Sequence, residues 1–197
     1  FVKNDVMGDN YVGSVVGKKT SGTIERSASR FLVSGKEYVG GLVGYLDDAV
    51  VSDCYSIANV VGERNVGGLV GNSDHATVRT SFAAGKVQGN SKWGGLVGSD
   101  KGSDYVLAYY DSSLWFVNVT AAGELRNTRQ MVSKENYEGW DIENTWKIVA
   151  DTTYPYLSWL GRAYPISQTM KEKVYPNLTV DSTMLKMKGS GTEDDPF

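Results

Sequence analysis

The sequence predicts an all-β fold: a repeat solenoid, a parallel β-helix of about four 27-residue coils, with a C-terminal capping segment. Three observations predict it. The first is one heptapeptide written four times. "YVGSVVG" (11–17), "YVGGLVG" (38–44), "NVGGLVG" (65–71) and "KWGGLVG" (92–98) each start 27 residues after the last. A fixed period of about 20 to 50 residues is the signature of a repeat architecture. The second is that the register holds outside the glycines. Val6, Val33, Val60, Val87 and Leu114 share a column, as do Ile24, Val51, Val78 and Tyr105. Gly8, Gly35, Gly62 and Gly89 form a third, closed by Phe116. The third is local: short β-branched runs lie between glycine and polar clusters, and no helical spacing persists.

Each repeat divides into pieces. "VGGLVG" reads as a strand with glycines at both ends. "NVVG" (59–62) and "KVQG" (86–89) are shorter strands closed by glycine. "VVSDCYS" (50–56) and "TVRTSFA" (77–83) are a third kind. One such unit has too little apolar surface to fold alone and buries its face against its neighbours. Stacking at the parallel-strand spacing of about 4.8 Å makes four coils a rod of about 19 Å. The column glycines are expected to serve positive φ at corners and close backbone approach. Val60 and Val87 are expected in the core.

Side-chain parity must break once per coil. Val51 points inward, so strict alternation sends position 53 inward too. That column is Arg26, Asp53, Thr80 and Leu107, mostly polar. The next is Ser27, Cys54, Ser81 and Ala108, all small. A bend or bulge between 51 and 54 turns the small column inward. The following column, Phe1, Ala28, Tyr55, Phe82 and Tyr109, then faces out.

The periodic region covers 1–117. From about 118 to 160 the period is lost, and this segment is expected to cap the solenoid, because terminal repeats need atypical ends. A short helix is expected to begin near Asn127 or Thr128. Strand-like aromatic pieces follow at "TWKIV" and "YPYLSWL". Trp140, Trp146 and Trp159 are expected to be buried against the coils. Residues 161–197 read as a linker or the start of a further module. The register starts in mid-repeat without a Met, which suggests a chain cut from something longer.

Composition narrows the function classes. Twenty basic against 23 acidic residues leave a net charge of −3, no electrostatic case for nucleic acid. No run of 18 apolar residues exists, so any membrane link would come through flanking segments. One cysteine excludes an internal disulfide, and Cys54 in its column is a small core residue. "GSVVGKKT" (13–20) fails the phosphate-loop spacing, and no strand–helix alternation supports a dinucleotide site. His75, the single histidine, is expected in a solvated loop beside Asp74; a zinc protease needs two on one helix. Asn118 and Asn177 match the glycosylation sequon by pattern only.

The residues "VGGLVG" at 39–44 and 66–71, with Val60 and Gly62 between them, resemble the GLUG repeat. The tail "YEGWDIENTW" followed by "YPYL" is similar to the segment that commonly closes such arrays. "VGSVVG" at 12 departs by lacking the second Gly and the Leu. The family occurs in bacterial secreted and surface proteins, including adhesins and IgA-cleaving metallopeptidases. The resemblance implies a secreted or cell-surface location and an adhesive or stalk role, with no catalytic residues.

Two site expectations follow. Tyr55, Phe82 and Tyr109, one per coil, would form an aromatic ladder for a host-surface glycan or protein, unless the C-terminal segment or the repeats themselves cover it. Asp47 and Asp74, stacked within about 5 Å, are weaker candidates for a calcium site or for the paired acids of a polysaccharide-degrading β-helix. Solvated turn carboxylates are the plainer reading. No cofactor is expected, and the module is expected to be monomeric and not an enzyme. The alternatives are an accessory or catalytic module of a secreted polysaccharide-degrading or protease enzyme, and an inert spacer.

Overall fold

A computed structural model describes residues 4–114, 122–161, 163 and 165–166. Phe1, Phe116, Asn118, Asn177 and nearly all of 161–197 lie outside the described residues. The repeats wind as a stack of parallel strands in which each step from one coil's strand to the next is 27 residues. Val6, Val33, Val60 and Val87 are consecutive Cα partners in one four-stranded sheet. Val12, Val39, Val66 and Trp93 run through a second, and Val16, Val43, Val70 and Val97 through a third. The fourth sheet carries Ile24, Val51, Val78 and Tyr105. Its last strand, Asp104–Asp111, gains a further parallel partner in Glu124–Arg126.

The interior divides into two apolar clusters. Leu42, Leu69 and Leu96 pack with Val51, Val78 and Cys54 in one. Val12, Val39, Val66, Val33, Val60 and Val87 make the other. Val60 and Val87 are buried and paired, as the period predicts.

The heptapeptide is not one strand. Glu37–Gly40 ends at the motif's first glycine, and Val43–Asp47 starts after its leucine. The chain turns a corner at Gly41 and Leu42, and both hydrogen-bond onward to the next coil, through Gly67 O and Leu69 O. The glycines serve close approach. A Cβ on Gly40 or Gly67 would overlap the carbonyl oxygen of Val43 or Val70 across its own corner. One on Gly41 or Gly68 would strike the carbonyl of the same glycine one coil on. One on Gly71 would lie 2.6 Å from Val39 N. None of the motif glycines has positive φ.

Positive φ falls elsewhere, on ordinary residues. Tyr11, Tyr38, Asn65 and Lys92 share one left-handed corner. Arg26, Asp53, Thr80 and Leu107 share another, at φ 47°, 50°, 42° and 52°. The second set is the parity break. One left-handed residue flips the strand, so Cys54 joins the interior cluster and Tyr55 faces outward.

Gly67→Ala is expected to destabilise strongly, because the obstructing atoms are backbone and cannot swing away. Overpacking of this kind costs about 1–3 kcal/mol and more where the backbone must move. A thermal melt within error of wild type would show that the corner has more room than the structure gives it.

Candidate binding surfaces

The outward column is the first candidate. Tyr55 and Phe82 stack in register, ring centroids 5.1 Å apart and planes within 4°. The rings are closed to solvent: Tyr55, Phe82 and Tyr109 are 1%, 0% and 1% exposed. The C-terminal segment lies across them. Trp146 sits 6.0 Å from Tyr55 and 6.1 Å from Phe82, Tyr154 lies 6.0 Å from Phe82, and Trp140 stacks on Tyr109 at 5.7 Å. The Arg126 guanidinium closes the ladder 3.3 Å above the Tyr109 ring. In this structure the ladder is therefore a docking surface for the chain's own tail and not an open platform.

Local sequence prepares that tail. Asn127 starts the helix Thr128–Met131 with a capping box, its side chain accepting from Gln130 N at 2.9 Å while Gln130 Oε1 accepts from Asn127 N. Trp146–Lys147 pairs antiparallel with Tyr156–Leu157. Polar ties fix the tail to the coils. Tyr154 and Thr128 donate their hydroxyl protons to Asp111 Oδ2 at 2.7 and 2.6 Å, and Ser113 N–H donates to Oδ1. Burial pushes the Asp111 carboxyl above its ordinary range, against the pull of these donors. Trp146 Nε1–H donates to Asp53, which also accepts from Thr80. Trp159, expected inside, is 55% exposed: around the turn Ser158–Leu160 the buried place goes to Leu157, just before it, and in part to Leu160.

The acidic row is the second candidate. Asp47 and Asp74 are Cα partners, as the stacking requires. Asp74 is already occupied. Lys101 Nζ, Tyr45 OH and His75 Nδ1 lie 2.8, 2.9 and 2.8 Å from its carboxylate oxygens. The Lys101 and Tyr45 hydrogen bonds hold its carboxyl down at about 2. Among the described residues no group of three or more His, Cys, Asp and Glu side chains gathers to hold a metal.

The third surface was not singled out from sequence. Tyr11 and Tyr38 stack at 4.9 Å with planes within 7°. Tyr45 stands edge-on to both, at 5.8 and 5.3 Å. Lys18 places its ammonium 5.0 Å from the Tyr45 ring centre and 5.8 Å from that of Tyr11. Tyr11 is 42% exposed, and Tyr38 and Tyr45 are half-buried.

Residues 35–61, one whole repeat, match the family model described as the GLUG motif. The chain carries the GLUG motif as one unit of its 27-residue repeat array. No curated protein and no solved structure matches it. The GLUG span contains Tyr38 and Tyr45 on either side of its glycine corner, and the corner brings them together. Tyr11 and Tyr38 open two consecutive copies of the GLUG heptapeptide, so their pairing was readable from the 27-residue register. Tyr45 was not readable, because only the turn at Gly41 and Leu42 places the residue after the motif beside the one that opens it.

Proposed function

We propose that this GLUG repeat protein is an adhesion-type, surface-binding module of a bacterial secreted or cell-surface protein. The solenoid is the rigid platform, and the partner is a host-surface glycan or protein met by one monomeric module. The observation that carries this reading is the open tyrosine corner, an aromatic cluster on the outside of a hydrogen-bonded stack. Exposed aromatic patches on a folded domain generally mark interaction sites.

The test is a screen of the purified chain against immobilised glycans and extracellular-matrix proteins, with soluble ligand as competitor. Saturable, competable binding to a surface component is expected. A chain that binds nothing in either panel would be a spacer, and this reading would fall.

A further inference from the structure

Resting on that surface-binding reading, we infer that Tyr11, Tyr38, Tyr45 and Lys18 form a binding site for a hexuronic-acid residue of an acidic polysaccharide. The argument starts from conformation. Position 11 and its equivalents 38, 65 and 92 are left-handed, with φ 56°, 56°, 54° and 51°. Such a backbone is unfavourable for most L-residues, and Asn tolerates it best among side-chain-bearing residues. Asn65 occupies the same corner one coil on, so the fold accepts Asn there. The two tyrosines bear that strain outside the apolar core, in contact with each other, with Tyr45 and with Lys18. They belong to none of the three apolar clusters. The left-handed corner recurs in every coil and belongs to the fold; what the fold does not require is tyrosine there, and an exposed aromatic in place of Asn points to function.

The geometry says what is bound. The Tyr11–Tyr38 stack is rigidly mounted: the Gly44 backbone packs so closely on that of Tyr11 and Val12 that a Cβ would lie 2.6 Å from Tyr11 C and from Val12 N. Tyr45 is held by its hydroxyl, which donates to Asp74. Lys36 is paired with Asp9, and Lys101 with Asp74. Lys18, like its neighbour Lys19, differs from Lys36 and Lys101 in having no acidic partner among the described residues, and it rests on aromatic rings. A cation so placed needs little reorganisation to meet an anion. Asp74 is matched by Lys101, which lessens its repulsion of an incoming carboxylate. The occupant must therefore offer a flat apolar face to a tyrosine ring and a carboxylate a few ångströms to its side. A hexuronate has both: the C–H face of its pyranose, and a carboxylate on C5 projecting from the ring's edge. The Tyr11 and Tyr38 hydroxyls can bond the sugar hydroxyls.

The experiment titrates the whole chain with trigalacturonate, with cellotriose as the neutral comparator and 3′-sialyllactose and an acidic peptide as competing classes. Trigalacturonate is expected to bind at least about ten-fold more tightly than cellotriose. Tyr11→Asn should weaken it about ten-fold or more while leaving the melting temperature unchanged or raised, the reverse of a core substitution. Lys18→Gln should erase the preference over cellotriose. Equal binding by Tyr11→Asn, or a lowered melting temperature in that variant, would overturn the site. Tighter binding of sialyllactose or of the peptide would overturn the sugar assignment. Binding in the broader screen that survives both substitutions would end this proposal and leave the surface-binding reading intact. Failure of wild type to bind anything would end both.

Discussion

Val60→Asp is expected to abolish cooperative folding near neutral pH or to lower the melting temperature by about 6–20 °C. Val60 is fully buried, its Cα partners are Val33 and Val87, and Val39 and Val66 pack in the same apolar cluster. The buried members of that cluster are all valine and alanine, with Val6 and Trp93 packed at its edge. A lone buried carboxylate costs about 3–5 kcal/mol, and in a chain of this size 1 kcal/mol is about 2–4 °C. Stability of most domains is only about 5–15 kcal/mol. The sign with pH is fixed. Burial without a partner raises the introduced acid's pKa above its unfolded value, so the folded state is penalised above that pKa and recovers as pH falls through it. A melt of the variant at low and at neutral pH measures this directly. Equal destabilisation at both would show an origin other than a buried charge, and none at all would place Val60 outside the core.

Trp146→Ala should release the C-terminal segment while leaving the coils wound. Trp146 is fully buried, 4.6 Å from Trp140 and about 6 Å from Tyr55 and Phe82, and it alone among the tail tryptophans hydrogen-bonds to Asp53 on the repeat corner. Truncating a buried tryptophan costs about 3–5 kcal/mol. The solenoid core does not contain it. The expected result is therefore a new exposed apolar surface, read by dye binding and association, with the β signal of circular dichroism kept. Trp159→Ala, at an exposed position, should change neither. If the two variants behaved alike, the covering of the ladder would not rest on Trp146.

The coil was legible because a 27-residue period forces in-register parallel stacking whatever the local detail. Parity was legible too: small residues at 27, 54, 81 and 108 beside polar ones at 26, 53 and 80 required a flip. Its mechanism was not, because Arg, Thr and Leu are poor left-handed formers and give no local sign of the corner they occupy. The glycines showed that something was crowded without showing that the motif bends. The tail was legible as apolar but not residue by residue. Which of Leu157, Trp159 and Leu160 turns inward is set by contacts far away in sequence, such as Tyr154 and Thr128 on Asp111. The ladder's outward direction followed from the register, whereas its covering depended on that tail. The tyrosine corner was half legible, through the shared column of Tyr11 and Tyr38.

The stack itself is tested most directly by methyl–methyl nuclear Overhauser contacts from a valine-labelled sample. In-register parallel strands put same-face neighbours about 5 Å apart. Val60 should therefore show strong cross-peaks to both Val33 and Val87, its partners one coil below and one above. Cross-peaks from Val60 to neither, or to valines at other offsets in their place, would contradict the 27-residue coil.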